Sequence, residues 1–467
     1  MDLKKALKTI NNISIDLLTP EKKQLVNDIL TLTLKDNGDV DEKIFRLILP
    51  IVKIGFIFDK APEVDQDNIA VIQESKNYPK IGTNGPCHSL IIGENYEALK
   101  NLKLIFSNSE NDNKSGLIDF IYIDPPYNTQ KTKEDGNDYK EDQETYSEDF
   151  LKLNNKKTSK KPSFGNFIYR DKYKRTGWLN MMDERLRLAK SLLKKDGLIF
   201  ISIDDSEFCY LKIICDDIFG ADNFISSLVW HARRGGGNDV KLVAVDHEYI
   251  ICYSNCQETS SLQQKRNNLD FIKKCQNLLR SKNLLKTLAT VTTSTGNKNL
   301  KDLGINLFPY PKPVNLIKEL ISVFSKKDSI ILDFFAGSGT TGQAVMELNE
   351  EDGGNRKFIL VTNNENNIAK DITYERLYRV INGKGTKNQK IKWKYTSSKQ
   401  SLTNNTVNIF EINHIDQNTI DKDRDKILEE VKEQLRKLNP NPKFKDIDLT
   451  SDLSSLYPYH KYLNKNQ

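Results

Sequence analysis

Four consecutive residues, Asp124-Pro125-Pro126-Tyr127, stand at the end of the near-continuous apolar run LIDFIYID (117–124). Such a run reads as a central strand of a parallel sheet. In open α/β sheets, ligands bind beyond the carboxyl ends of the strands. An aromatic amino nitrogen is a poor nucleophile because its lone pair is delocalised into the ring. A carboxylate (Asp124) and a fixed backbone carbonyl can accept hydrogen bonds from both amino hydrogens. That favours a tetrahedral nitrogen and frees its lone pair to attack an electrophilic methyl carbon, with positioning and electrostatics supplying most of the rate. The two prolines restrict the loop and remove competing N–H donors. Tyr127 offers a ring face to an unstacked base. The competing interpretation is a rigid turn that happens to contain Asp and Tyr, and the strand-end placement weighs against it.

The second cluster is Asp333-Phe334-Phe335-Ala336-Gly337-Ser338-Gly339-Thr340-Thr341-Gly342. A short strand (SIILD) leads into a glycine turn, and QAVMEL reads as the helix that follows. Glycines let the backbone approach a ligand closely, and a helix N-terminus presents free N–H groups. Gly337, Gly339 and Gly342 also satisfy GxGxxG, so a nicotinamide dinucleotide site is an alternative here. Glu365 closes the next strand (FILVT), 26 residues past Gly339. An acid there suits the ribose hydroxyls of either cofactor type.

The elements that must position these loops alternate strand and helix. SLIIGENYEALKNL predicts a strand, a turn at Gly93 and a helix. WLNMMDERLRLAKSLLKKDG predicts an amphipathic helix stopped at Gly197, followed by strands LIFISID and EYIICYS. The pattern implies a doubly wound α/β sheet. Residues 1–85 read as helical, from apolar spacing in Leu25 to Leu34 and Ile44 to Ile54. Near the other end, IDKDRDKILEEVKEQLRKL (420–438) carries one apolar stripe and stops before Pro440.

With 467 residues and a net charge of +6, the chain holds several domains and permits a nucleic-acid partner without demanding one. Charge is unevenly spread. Residues 131–150 carry a net −5 and residues 151–175 a net +8, without periodicity, which reads as a loop insertion. Residues 265–300 hold eight basic side chains and one acidic. A solvated helix face and a nucleic-acid contact are equally good accounts of that composition. Six sparse cysteines and five histidines form no zinc spacing, so no metal is expected. No apolar run spans a bilayer and the N-terminus lacks the pattern of a signal peptide, which predicts a cytoplasmic protein without a membrane partner. His247 reads as structural. Asp204 and Asp205 end a strand at the ligand edge and are weaker candidates for substrate contact.

DPPY together with DFFAGSGTT resembles the S-adenosylmethionine-dependent amino-methyltransferases of DNA. The catalytic motif precedes the glycine loop, as in the family's beta class. WLNMMDERLRLA, DGLIFISIDD, IFGADNFI, HEYIICYSN, FPYPKPVNLI, RKFILVTNNEN and ITYERLYRVINGKG resemble blocks of type III restriction–modification Mod subunits. The resemblance implies a Rossmann-like, mostly parallel sheet in permuted motif order and an adenine-N6 activity. Cytosine N4 and a non-catalytic DNA-recognition subunit are the alternatives, with the nicotinamide oxidoreductase more remote. Asp124, Pro125, Pro126 and Tyr127 match the catalytic loop. Asp333, Phe335, Gly337, Ser338, Gly339 and Thr340 match the cofactor loop, Glu365 the ribose-binding acid, and Lys312-Pro313 the motif that closes over the cofactor.

The same resemblance divides the chain into a helical N-terminal region (1–85), a catalytic half (86–254) with a loop insertion at 130–175, a target-recognition insert (255–308), a cofactor-binding half (309–395) and a C-terminal helical extension (396–467). It turns the basic 265–300 segment into an expected DNA contact through Lys265, Arg266, Lys273, Lys274 and Arg280. Double-stranded DNA, a homodimer and a Res restriction subunit are the implied partners. Type III subunits usually carry a long recognition region between HEYI and the KP motif, and here only about 60 residues separate them.

Overall fold

The fold was obtained as a computed structural model of the chain, which describes residues 6, 20–35, 39–40, 64–108, 115–128, 174–233, 245–256, 262–306, 308, 310–442, 444 and 447–456. The loop insertion expected at 130–175 falls almost wholly outside these residues, as does the apolar stretch at 44–54. Ten strands form one sheet: β1 (Val64–Glu74), β2 (Cys87–Ile92), β3 (Ile118–Ile123), β4 (Leu193–Ile203), β5 (Phe224–Trp230), β6 (Glu248–Ser254), β7 (Ile330–Asp333), β8 (Lys357–Thr362), β9 (Thr406–Asp416) and β10 (Ser454–Leu456). Their spatial order is β10-β1-β9-β2-β8-β7-β3-β4-β6-β5. The run from β9 to β4 is parallel throughout, whereas β1, β10, β6 and β5 pair antiparallel.

The central strands are apolar at successive positions because both faces are covered. In β3, Phe120 and Tyr122 enter one buried cluster, while Ile121 and Ile123 enter the other. Helices α1 (Asn95–Phe106), α2 (Lys174–Leu192) and α3 (Phe208–Phe219) bury their apolar faces on the second side, through residues such as Leu99, Leu186 and Ile214. The first side is covered by α7 (Val314–Phe324), α8 (Thr340–Asp352) and α9 (Glu375–Asn382), through Leu320, Val345 and Leu377. The chain therefore leaves β7 over one face, through α8 to β8. It leaves β3 for β4 through α2 on the other. Adjacent strands whose connections diverge in this way open a crevice at their carboxyl ends.

Two expectations are corrected. Residues 64–74, read within a helical region, form β1, and residues 406–416, read within a helical extension, form β9. The two pair antiparallel from Asn68↔Asp416 to Glu74↔Phe410 and extend the sheet beyond β2. Their β-branched and aromatic runs (IAVI; TVNIF) lie between polar stretches with no turn glycine to mark them, so the longer helical stripes nearby dominated the reading. The helix predicted at 420–438 is present as α10 (Gln417–Leu438), which buries Ile420, Ile427, Val431 and Leu435. Gly197 ends no helix. It lies inside β4 beside a break in register with β3. Among the described residues no helix is long and apolar enough to cross a membrane.

His88 in β2 shows how tightly the sheet is built. Its ring stacks on Phe358 at 4.0 Å, its Nδ1 accepts the Phe358 N–H at 3.2 Å, and its Nε2 lies 3.0 Å from Asn405 Oδ1. Burial pushes this imidazole down to about 4, although the Asn405 hydrogen bond opposes the shift. The folded protein thus binds fewer protons here than the unfolded chain does. The associated stability is present above the unfolded value near 6.5 and is lost as pH falls toward 4. Replacing His88 with Gln should remove that dependence. Urea unfolding of both proteins between pH 6.5 and 4 should show wild type losing up to about 3 kcal/mol more than the variant. Parallel slopes would contradict a neutral His88.

Candidate active site

Asp124 follows β3 directly and Phe334 follows β7, and these strands are neighbours paired at Phe120↔Ile331 and Ile121↔Leu332. The two loops therefore face each other across the crevice. The glycine-loop side is tied to the helices beside it: Asn95 Nδ2 donates to Phe334 O at 2.9 Å, and Arg185 Nε donates to Asn95 Oδ1 at 2.5 Å. Arg185 also pairs with Glu94, whose carboxylate caps the start of α1.

On the catalytic side, Trp178 of α2 donates its Nε1–H to Pro126 O at 2.6 Å, which fixes the Pro-Pro turn. Asn128 sits in the left-handed region at φ 53° and donates to Glu207 at 2.8 Å. Tyr127 OH lies 2.9 Å from Asp124 Oδ1 and 2.9 Å from Glu248 Oε2, the first residue of β6. Burial raises the Tyr127 phenol well above its usual range, and the Asp124 and Glu248 charges add to that effect, so it stays protonated and donates.

Lys312 joins the two halves. Its Nζ donates to both Asp124 oxygens, at 2.8 and 2.9 Å, and to Tyr127 OH at 2.8 Å, and lies 3.3 Å from Glu248 Oε2. Burial alone would lower its basicity, but the two carboxylates outweigh burial and raise it, so it carries a charge. The Lys312 carbonyl accepts Thr340 Oγ1 at 3.2 Å. Pro313 caps the start of α7. Its backbone thus touches the cofactor loop, on the side the sequence expected, while its ammonium sits on the catalytic loop.

The glycine loop is held from within. Gly337 (φ 46°) and Gly339 (φ 74°) adopt left-handed backbone that side-chain-bearing residues rarely enter. Asp333 accepts Thr341 Oγ1 at 2.5 Å and the Phe335 N–H at 3.1 Å. Arg376, fully buried, donates to Thr340 Oγ1 at 2.7 Å, Ser338 Oγ at 3.1 Å and Gln343 Oε1 at 2.8 Å. The side chains of Asp333, Ser338 and Thr340 thus also shape the loop from within. Burial pushes Asp333 up to about 7 against the Thr341 and Phe335 hydrogen bonds. Its stabilising share is complete below about 4 and is lost as pH rises toward 7, opposite in sign to His88. Phe335 packs against Phe334 with ring centroids 5.4 Å apart. Glu365 is exposed in the turn after β8, next to two left-handed asparagines, Asn366 and Asn367.

Gly342 has a packing role. A Cβ there would stand 2.8 Å from Leu377 Cδ2, 3.0 Å from Leu360 Cδ1 and 3.3 Å from Phe358 Cζ. Gly342→Val should cost about 1–3 kcal/mol through overpacking between α8 and β8. A melting temperature unchanged from wild type would contradict this.

The basic helix is placed less simply. Helix α4 (Leu262–Leu278) contains Lys265 and Arg266, whose side chains lie outside the described residues, and Lys273 and Lys274, which are exposed; Arg280 just beyond it is exposed too. Asn268 reaches Asn223 at 2.8 Å and Gln276 reaches Ile225 O at 3.3 Å, which anchors α4 at the start of β5. That end of β5 is remote from the crevice, where Trp230 pairs with Glu248. The segment returns to the crevice side at Leu288 and Val291, whose carbonyls accept the His231 N–H at 2.9 Å and the Trp230 Nε1–H at 2.5 Å. Glu248, Trp230 and Arg376 were missed in the sequence. The first two carry no motif of their own, and Arg376 sits in the block ITYERLYRV without a signal of its role.

The family described as DNA methylase matches residues 118–375, more than half of the chain and inclusive of both loops. The chain belongs to the DNA methylase family. That membership removes the nicotinamide alternative for the methylase glycine loop. A second family, described only as an uncharacterised conserved protein, matches residues 3–112. The chain is 29% identical to the type III restriction-modification enzyme StyLTI Mod subunit of Salmonella typhimurium, over 68% of this chain and 61% of that protein. It is 28% identical to the EcoPI Mod subunit of Escherichia phage P1, over 63% and 60%, and 28% identical to the type II methyltransferase M.KpnI of Klebsiella pneumoniae, over 63% and 84%. It thus spans about three fifths of the length of the two Mod subunits.

Proposed function

We propose that the chain transfers a methyl group from S-adenosylmethionine to the N6 amine of adenine at a specific DNA site, as the modification subunit of a type III restriction–modification system. The observation that carries this reading is the meeting of the Asp124–Tyr127 loop and the glycine loop across one crevice, with Lys312 touching both. The residues present suit the cofactor: left-handed glycines ahead of the α8 N-terminus for the methionine end, and the exposed Glu365 carboxylate for ribose hydroxyls. When bound, S-adenosylmethionine supplies a methyl carbon made electrophilic by its sulfonium. The chain's own residues then do the rest. Asp124 accepts one amino hydrogen and the Pro125 carbonyl the other, which gathers electron density on the nitrogen. Tyr127 supports the unstacked base, whose extrusion from the duplex costs a few kcal/mol. Pro126 O is already engaged by Trp178, which holds the loop in place before the base arrives.

Kinship with two Mod subunits supports a homodimer and a Res partner as the assembly. The exposed Lys273, Lys274 and Arg280 are proposed as phosphate contacts outside the crevice, and Lys265 and Arg266 as their neighbours on the same helix. Incubating the protein with labelled S-adenosylmethionine and mixed-sequence DNA should label adenine, and single-molecule sequencing of the product should give one sequence context. Label in cytosine would move the reading to N4. No label at all, with the cofactor bound, would end it.

A further inference from the structure

The Lys312 ammonium already does part of what the incoming amine is required to do, which is to donate to Asp124. It places N–H donors on both oxygens of Asp124 at 2.8 and 2.9 Å. It also lies 4.9 Å from the Tyr127 ring centroid and 5.7 Å from that of Trp230. Its side chain is only 8% exposed, so it is lodged in the crevice. Each carboxylate oxygen keeps a further lone pair, but Nζ stands within 2.9 Å of both oxygens and over the Tyr127 ring, so an amine seated in that same place must displace it. A second acid stands close by: Glu248 Oε2 is 3.3 Å from the same Nζ and is fixed by β6, where Glu248 pairs with Trp230. The Lys312 backbone is held by Thr340 and by the start of α7, so any exchange between acids is a motion of the side chain alone.

We propose that Lys312 is a resident stand-in for the target amine, seated on Asp124 and over Tyr127 until the base enters, and that Glu248 is the second seat onto which it withdraws. Both are positioning residues, and the inference rests on the adenine-methylation reading. In the base-free protein the stand-in neutralises two carboxylates that would otherwise repel one another across a short distance. On entry of the base, the adenine amine replaces one ammonium contact, so part of its binding energy is offset by the contact it displaces.

The test is the preference for adenine over purine (the same base without its 6-amine) at the target position of a cognate duplex. Dissociation constants are measured with S-adenosylhomocysteine present, so that no turnover occurs. Lys312→Met vacates the seat and should raise the adenine-to-purine preference about tenfold. Glu248→Gln holds Lys312 more firmly on Asp124 and should lower the preference severalfold, and that loss should vanish in the double variant. Lys312→Gln replaces Lys312→Met if the latter does not fold. An unchanged or reduced preference in the Lys312 variants overturns the proposal, as does an undiminished Glu248→Gln effect in their background. Wild-type protein that methylates no DNA would instead overturn the reading beneath it.

Discussion

Replacing Asp124 with Ala is expected to lower methyl transfer to DNA about 10³-fold while cofactor affinity stays within a few-fold of wild type. In the proposed reaction the Asp124 carboxylate accepts an amino hydrogen as the nitrogen turns tetrahedral, and the neighbouring acid is otherwise engaged. Glu248 Oε2 lies 2.9 Å from Tyr127 OH and 3.3 Å from Lys312 Nζ and is already engaged there. The cofactor loop is held by Asp333, Arg376 and Thr373 and is linked to the catalytic side through the Lys312 backbone. Losing the Asp124 side chain leaves that link intact. Lys312 keeps Glu248 as a partner, so the variant should fold. Single-turnover transfer with labelled cofactor, beside calorimetric binding of the cofactor, gives both numbers. Residual transfer above a tenth of wild type would remove Asp124 from the chemistry.

Tyr127→Ala should cost about 10²-fold in transfer, with cofactor affinity again near normal, because base–aromatic stacking contributes about 1–3 kcal/mol. Tyr127→Phe separates the ring from the hydroxyl. The hydroxyl lies between Asp124, Glu248 and Lys312, so its loss should disturb their spacing and cost roughly tenfold. Equal losses for Phe and Ala would make the hydroxyl, not the ring, the working part.

Both loops were legible in the sequence because each is a local pattern: a strand of buried residues followed at once by the motif. Strand and helix alternation likewise located β2, β3, β7 and β8, whose apolar runs are continuous. What was not legible depends on contacts between distant positions. Lys312 meets Asp124 from 188 residues away, and nothing near the KP dipeptide shows where its ammonium ends up. Glu248 opens a strand recognised as apolar, and its neighbour His247 drew attention as the obvious titratable group. His247, read as structural, has its Nε2 2.9 Å from Tyr249 OH. β1 and β9 escaped because each is marked chiefly by its pairing with the other, more than 300 residues apart.

Placing β2 between β8 and β9 has a consequence for synthesis on the ribosome. The apolar segment Cys87–Ile92 emerges early, yet its nearer flanking strand is complete only at Thr362 and the other at Asp416. At about 5–20 residues per second, the nascent protein carries an unpaired, sticky ribbon for roughly 15–65 s. During that interval it is a natural client for a holding chaperone, and crowded polysomes are where this protein is most exposed to clumping.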